Sequence, residues 1–154
     1  MIHLALTTGE PAGIGPEISV LAAKIFLEKH ADASVDLLID QSLVSEQLPS
    51  RLSINHCALS EKVIPGQLNT KNATYVLNTL DKAIDGCTTG LYQAMVTAPV
   101  QKSVISESGI TFSGHTEYLA QKCNIEQVVM MLVGRPIFES NLEIFLKISV
   151  SVII

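Results

Sequence analysis

An α/β fold on a mainly parallel sheet is the class the sequence predicts, and three observations carry it. Short apolar runs of strand character alternate with longer segments of helical periodicity, the rhythm of βαβ units. Gly- and Pro-containing loops stand where a strand would hand over to a helix. The 154 residues show no internal repeat and no low-complexity linker, and a chain of this length can bury one core.

The elements follow in order. Ile2, Leu4 and Leu6 alternate with His3, Ala5 and Thr7, the period of a first strand. Thr8 to Gly15 breaks regular structure, and Pro16 suits the first turn of a helix, with Glu17 favourable near its positive end. Ile18, Leu21, Ala22, Ile25 and Phe26 keep helical spacing up to Lys29 and His30. Val35 to Ile39 reads as a second strand, and Arg51 to Leu59 as a third element of strand character.

Over 70–84, Val76, Leu77, Leu80 and Ile84 share one helical face, and Gly86 is the expected stop. Tyr92 to Val96 is a strand that runs into Thr97-Ala98-Pro99. Val100 to Ser108 is a short helix ended by Gly109. The loop Thr111 to Glu117 precedes a helix through Tyr118, Leu119 and Lys122, and Val128 to Val133 is a last buried strand.

The tail departs from this rhythm. Ile144, Leu146, Ile148, Val150, Val152 and Ile154 occupy every even position, with Lys147, Ser149 and Ser151 between them. That is an apolar strand of period two, which is an aggregation hazard unless it pairs.

Composition bounds the function. Hydrophobic residues make up 47% and charged residues 16%, an imbalance that points to surface meant to be covered by a partner subunit or by further chain. A formal net charge of -5 provides no electrostatic footprint for nucleic acid. Local donors can still hold a small anion. Cys57, Cys87 and Cys123 are odd in number and scattered, the pattern of free thiols in a reducing compartment rather than of a disulfide framework or zinc ribbon. The N-terminus lacks a basic region and runs into Gly and Pro, unlike a signal peptide. No apolar run is long enough for a membrane span. A cytoplasmic location is therefore expected.

Three loops are candidates for chemistry. In the first, Gly9, Glu10, Gly13 and Gly15 stand before a helix start, where glycines permit close backbone approach and free N–H groups can meet an anion. It is neither a P-loop, since no Gly-Lys-Ser/Thr follows, nor a dinucleotide fingerprint, since Ile18 stands where the third glycine belongs. A tight strand-to-helix turn explains the same residues. In the second, His115 is flanked by Gly114 and by the hydroxyls of Ser113 and Thr116. Such a histidine can donate to a phosphate or exchange a proton, and Thr116 could cap the helix after it; an exposed histidine in a capping loop is the alternative. In the third, Thr97 to Lys102 sits at a strand end, where open α/β sheets place ligands, and Lys102 could neutralise an anion or simply be solvated. His3, His30 and His56 have no partner at metal-ligand spacing and read as structural. No Gly-x-Ser-x-Gly occurs, which argues against a hydrolase.

These loops resemble a known family. Leu4-Ala5-Leu6-Thr7-Thr8-Gly9-Glu10-Pro11-Ala12-Gly13-Ile14-Gly15-Pro16-Glu17 is similar to the opening signature of the 4-hydroxythreonine-4-phosphate dehydrogenase family. Thr97 to Lys102, followed by Gly109 to Glu117, is similar to its second signature. Asp85-Gly86-Cys87 and Val128 to Leu132 also fall where that family has similar segments, so the resemblance covers about residues 2–133, the N-terminal half.

The resemblance implies an α/β/α sandwich of the isocitrate/isopropylmalate dehydrogenase type, incomplete in this chain. It implies an NAD-dependent oxidation of 4-phosphooxy-threonine, followed by decarboxylation, in pyridoxal 5'-phosphate biosynthesis. A divalent metal (zinc, magnesium or cobalt) would polarise the reacting oxygen. The working form would be a homodimer with a shared active site. By carry-over, His115 and Thr116 contact the substrate, and the loop of Gly9, Glu10, Gly13 and Gly15 borders the same cleft. The family's metal-ligating histidines and its NAD-binding segments lie beyond the matched region, and no histidine follows His115.

Two segments are expected: 1–133 as the N-terminal part of the dehydrogenase-like fold, and 134–154 as a divergent apolar tail of the kind a reading-frame shift produces. The chain alone is expected to be inactive, and poorly soluble or oligomeric. A non-catalytic remnant and a related dehydrogenase for another phosphorylated hydroxy acid are the alternatives.

Overall fold

A computed structural model describes residues 2–126, 128–133 and 149–153. The chain divides into two compact units, Met1–Phe112 and Ser113–Ile154.

The first unit is an open parallel sheet with helices on both faces. Its strands are β1 (Ile2–Thr7), β2 (Ala33–Ile39), β3 (Leu52–His56) and β4 (Ala94–Thr97), in spatial order β3-β2-β1-β4. All three pairings are parallel, with Leu6 opposite Leu37 and Val96, and Leu37 opposite Ile54. The helix α1 (Gly15–Lys29) joins β1 to β2 and packs on β2 and β3. The helix α2 (Ala73–Thr88) leads from β3 to β4 and packs on β1, β4 and β2. A short helix, α3 (Lys102–Glu107), follows β4. The expected α/β class with a parallel sheet is what the chain forms.

Leu6, Val20, Ala23, Leu27, Val35, Leu37, Ile39 and Leu52 make one core between α1 and the sheet. Arg51 ties the end of α1 into it. Its guanidinium donates to the carbonyls of Leu27 in the last turn at 2.6 Å, His30 just past the helix at 2.7 Å and Ala33 at the start of β2 at 2.9 Å.

Several expectations need correction. Helix α1 starts where Pro16 predicts, but Ile18, Leu21 and Ile25 are exposed, and the sheet is met by Val20, Ala23 and Leu27. Gly86 does not stop α2, which continues to Thr88. It is there to admit the Tyr92 ring: a Cβ at Gly86 would lie 2.2 Å from Tyr92 Cδ2. The strand predicted from Tyr92 begins at Ala94.

The second unit holds the helix α4 (His115–Cys123) and a two-stranded antiparallel sheet of β5 (Val129–Val133) and β6 (Ser149–Ile153). Asn124, with φ 53°, closes α4 in the left-handed conformation. The last strand of the alternating pattern therefore lies outside the parallel sheet, and Val129 is exposed rather than buried. The end of the apolar tail pairs with it, Val150 opposite Leu132 and Val152 opposite Met130. The rest of the tail, 134–148 and Ile154, lies outside the described residues.

Candidate functional site

Strand order marks out the candidate site. From β1 the chain moves to β2 and β3 on one side, then returns to place β4 on the other, with α1 and α2 on opposite faces. The crossovers therefore diverge between β1 and β4, and the carboxyl ends of those strands flank the crevice where open α/β sheets take their ligands. The loop after β1 carries Gly9, Glu10, Gly13 and Gly15; the loop after β4 carries Thr97 to Lys102.

The backbone locks these two loops together. Ala98 N–H donates to Thr7 O at 2.9 Å, and Glu10 N–H donates to Pro99 O at 3.0 Å. Gly9 makes the approach workable: φ is +67°, and a Cβ there would sit 2.1 Å from Pro99 O. Gly15 does the same beneath the helix start, where a Cβ would lie 2.0 Å from Thr8 O. Gly13 lies against Glu10, with its added Cβ at ordinary contact from the Glu10 side chain.

Glu10 is the chemically distinctive member. Only 7% of it is exposed, and Ala12 N–H donates to its carboxylate at 3.1 Å. Burial raises its pKa above the ordinary carboxylate value, and the Ala12 N–H offsets that in part. The sequence offered this loop as an anion cradle at a helix start. In the structure, the loop's own carboxylate takes Ala12 N–H and the Glu10 carbonyl takes Gly13 N–H at 3.1 Å. Those two amides are satisfied internally.

Behind the loop, the Thr8 and Tyr75 hydroxyls meet at 3.1 Å. Tyr75 is fully buried, and burial pushes its pKa up to about 12, so it serves as a neutral hydroxyl. Sequence reading passed over Tyr75, because one aromatic on an apolar helix face is indistinguishable from core. Lys102 is the first residue of α3 and is exposed.

His115 and Thr116 belong to the second unit. His115 opens α4 and Thr116 lies in its first turn, so Thr116 is not the cap; Gly114 holds that position without a side-chain hydrogen bond. The structure thus gathers Gly9, Glu10, Gly13 and Gly15 in one loop braced on Pro99, and sets His115 and Thr116 side by side at a helix start.

A second polar cluster escaped the sequence reading. Asp36 accepts from the Tyr92 hydroxyl at 2.9 Å and from Ser53, and pairs with His3 Nε2 at 3.2 Å. Burial works to raise the Asp36 pKa, but the hydrogen bonds from Ser53, His3 and Tyr92 outweigh it and hold the carboxyl below its usual range. His3, read from the sequence as structural, has a carboxylate partner in Asp36 that sequence spacing did not disclose. Cys57, Cys87 and Cys123 form no disulfide with one another. Among the described residues, no helix is long and apolar enough to cross a membrane.

Known proteins resemble this chain in sequence and in fold. The family model described as "Pyridoxal phosphate biosynthetic protein PdxA" matches residues 16–148. The 4-hydroxythreonine-4-phosphate dehydrogenase of Burkholderia vietnamiensis is 41% identical over 144 residues, covering 86% of this chain and 44% of that one. Its counterpart in Ralstonia nicotianae is 42% identical over 155 residues, with 87% and 46% covered. Among solved structures, a 4-hydroxythreonine-4-phosphate dehydrogenase from Burkholderia phymatum superposes with a TM-score of 0.74 at 21% identity, over 86% of this chain and 47% of that one. A terephthalate 1,2-cis-dihydrodiol dehydrogenase from Burkholderia xenovorans gives 0.70 at 23% identity, over 86% and 45%. The chain spans less than half the length of these relatives.

Proposed function

We propose, from the premise that this chain belongs to the pyridoxal phosphate biosynthetic protein PdxA family, that it is the N-terminal part of a dehydrogenase for 4-phosphooxy-threonine. The observation that carries the reading is the set of relatives named for that activity, 41–42% identical across more than four-fifths of this chain. The fold alone would not select the substrate, since a dihydrodiol dehydrogenase shares it.

On this reading the complete enzyme has the isocitrate/isopropylmalate dehydrogenase-like sandwich, uses NAD and a divalent metal, works as a cytoplasmic homodimer and feeds pyridoxal 5'-phosphate synthesis. His115 and Thr116 contact the substrate. The imidazole and hydroxyl at the first turn of α4 offer donors to a phosphate or a carboxylate, helped by the positive end of the helix. The Gly9–Glu10 loop forms the wall of the crevice, its shape set by the close contact on Pro99. A bound metal would supply Lewis-acid activation of the reacting oxygen. Among the described residues, no three His, Cys, Asp or Glu side chains are placed to hold a metal ion. The described residues do not fit that group.

The test is NADH formation from 4-phosphooxy-threonine with added divalent metal. The 154-residue chain is expected to show no turnover alone, and a fusion of it to the unmatched part of the Burkholderia vietnamiensis relative is expected to regain it. A fusion that folds yet turns over only another phosphorylated hydroxy acid would move the assignment to that substrate. Turnover by the short chain alone would overturn the division of labour.

A further inference from the structure

Glu10 is a buried carboxylate without a counter-charge. Only 7% of it is exposed, yet none of the ion pairs among the described residues includes it. Burial and the Ala12 N–H are the influences on its carboxyl; no lysine, arginine or histidine is among them. Ala12 N–H reaches Oε1 at 3.1 Å. Oε2 takes no hydrogen bond among the described residues, and it is not one of the side-chain oxygens sealed from the surface. A carboxylate held by one neutral donor and no cation is unfavourable when buried, and such a group in a crevice is a candidate for a ligand contact. Its place fits that role. The Glu10 N–H is pinned to Pro99 O at 3.0 Å and its carbonyl to Gly13 N–H at 3.1 Å, so the residue stands where the loops after β1 and β4 meet.

The chemistry of the missing partner follows from the groups present. A phosphate or carboxylate would be repelled by Glu10, and the Ala12 and Gly13 amides that could have held one are already taken by Glu10 itself. A ligand hydroxyl could donate a hydrogen bond but would leave the charge uncompensated. A primary ammonium supplies both the donors and the charge, and a charge-assisted bond is roughly twice as strong as a neutral one. We infer that Glu10 is a specificity residue of the crevice, which pairs with the ammonium group of an amino-acid substrate and so separates phosphorylated amino acids from phosphorylated hydroxy acids. The inference rests on the family reading above, in which the substrate is 4-phosphooxy-threonine. That molecule carries an amino group, whereas a phosphorylated hydroxy acid does not.

The test compares kcat/KM for 4-phosphooxy-threonine and for its analogue with a hydroxyl in place of the amino group. Both are measured in the fusion to the unmatched part of the Burkholderia vietnamiensis relative and in its Glu10→Gln variant, which keeps an acceptor for Ala12 N–H and removes the charge. The variant is expected to lose about tenfold or more on the amino substrate, mainly in KM, and to stay within about twofold of the parent on the hydroxyl analogue. Glu10→Asp, which retains the charge, is expected to keep part of the preference. A fall of equal size on both substrates reveals a merely structural role and overturns the inference. A preference for the amino substrate that survives Glu10→Gln overturns the inference alone. A preference of the unsubstituted fusion for the hydroxyl analogue overturns the family reading together with it, so the two failures are distinguishable. Should the fusion not turn over, carboxyl-carbon NMR across pH decides on the 154-residue chain, with the Glu10 signal identified by its loss in Glu10→Gln. Added 4-phosphooxy-threonine is expected to move the Glu10 titration to lower pH, and the hydroxyl analogue is expected not to. No downward movement with the amino compound, or the same movement with both, refutes the pairing.

Discussion

Replacing Gly9 by alanine isolates the contact that joins the two crevice loops. Two costs follow from the structure. At φ +67°, an L-residue pays about 1–2 kcal/mol for the left-handed conformation. The new Cβ would also sit 2.1 Å from Pro99 O, whereas a carbon and a carbonyl oxygen rest about 3.3 Å apart, so the carbonyl must retreat by about 1 Å. That movement takes it away from Glu10 N–H, now 3.0 Å distant. Stranding a buried donor costs about 1–3 kcal/mol. The sum is about 2–5 kcal/mol, large against the stability of an ordinary domain. Gly90→Ala is the control: its φ is +79°, but nothing lies within 4 Å of its added Cβ, so it pays the conformational part alone. Urea unfolding followed by far-ultraviolet circular dichroism gives both values. If Gly9→Ala costs within about 0.5 kcal/mol of Gly90→Ala, the close approach has no energetic weight and the reasoning fails.

Other outcomes follow from the same contacts. Gly86→Ala drives a methyl to 2.2 Å from the Tyr92 ring and should destabilise by about 1–3 kcal/mol; because the clash is with that ring, Tyr92→Leu should recover part of the loss in a double-mutant cycle. Glu10 has a native pKa raised above 4.5, so the native state holds its proton more tightly than the unfolded chain. Its contribution is favourable at low pH and is lost as pH rises through the raised value. Glu10→Gln keeps an acceptor for Ala12 N–H without the charge and should flatten the pH dependence of the urea midpoint above pH 4.5; an unchanged slope would contradict the burial argument. Asp36 runs the other way: its native pKa is lowered from 3.8, so the stability it contributes is present above that value and lost as pH falls through the native one. Asp36→Asn should cost about 1.5–3 kcal/mol at neutral pH and much less in acid, read from melts across that range. In the active fusion, His115→Ala should lower kcat/KM by at least tenfold while leaving the thermal midpoint near that of the parent; equal activity would remove His115 from the substrate contacts.

What the sequence disclosed, and what it hid, divides by the range of the interaction. The order of strands and helices was legible because period two and period 3.6 are local. So was the start of α1, because Pro16 acts within its own turn. Gly86 was misread for the complementary reason. Its meaning depends on Tyr92, which reaches it across a turn, and a glycine that admits a ring looks the same in sequence as one that ends a helix. The crevice loops were visible as glycines, but their brace was not: Pro99 O meeting Gly9 and Glu10 N–H is a contact over some ninety residues, made by β1 and β4 pairing in register. The partners of Asp36 were hidden likewise, being drawn from two other strands, β1 and β3, and the segment before β4.

Helix α1 shows a subtler limit. Periodicity identifies an apolar row but says nothing of what covers it, and α1 has two such rows. The row with the larger residues, Ile18, Leu21 and Ile25, is the one a reader of the sequence assigns to the core. The sheet instead takes Val20, Ala23 and Leu27, whose smaller average size lets the helix lie close to Val35 and Leu37. The bulkier row is then left on the outside, where in water it costs free energy at about 25 cal/mol for each Å² of apolar surface not buried. A chain with 47% hydrophobic residues and few charges carries that cost across its surface, with Ile64, Leu68, Leu91 and Val96 also more than half exposed. The crevice loops need none of this covering, since their brace is backbone on backbone within the first hundred residues. The brace between the two loops is therefore made wholly within the first unit, whereas the outer row of α1 leaves its large apolar side chains exposed.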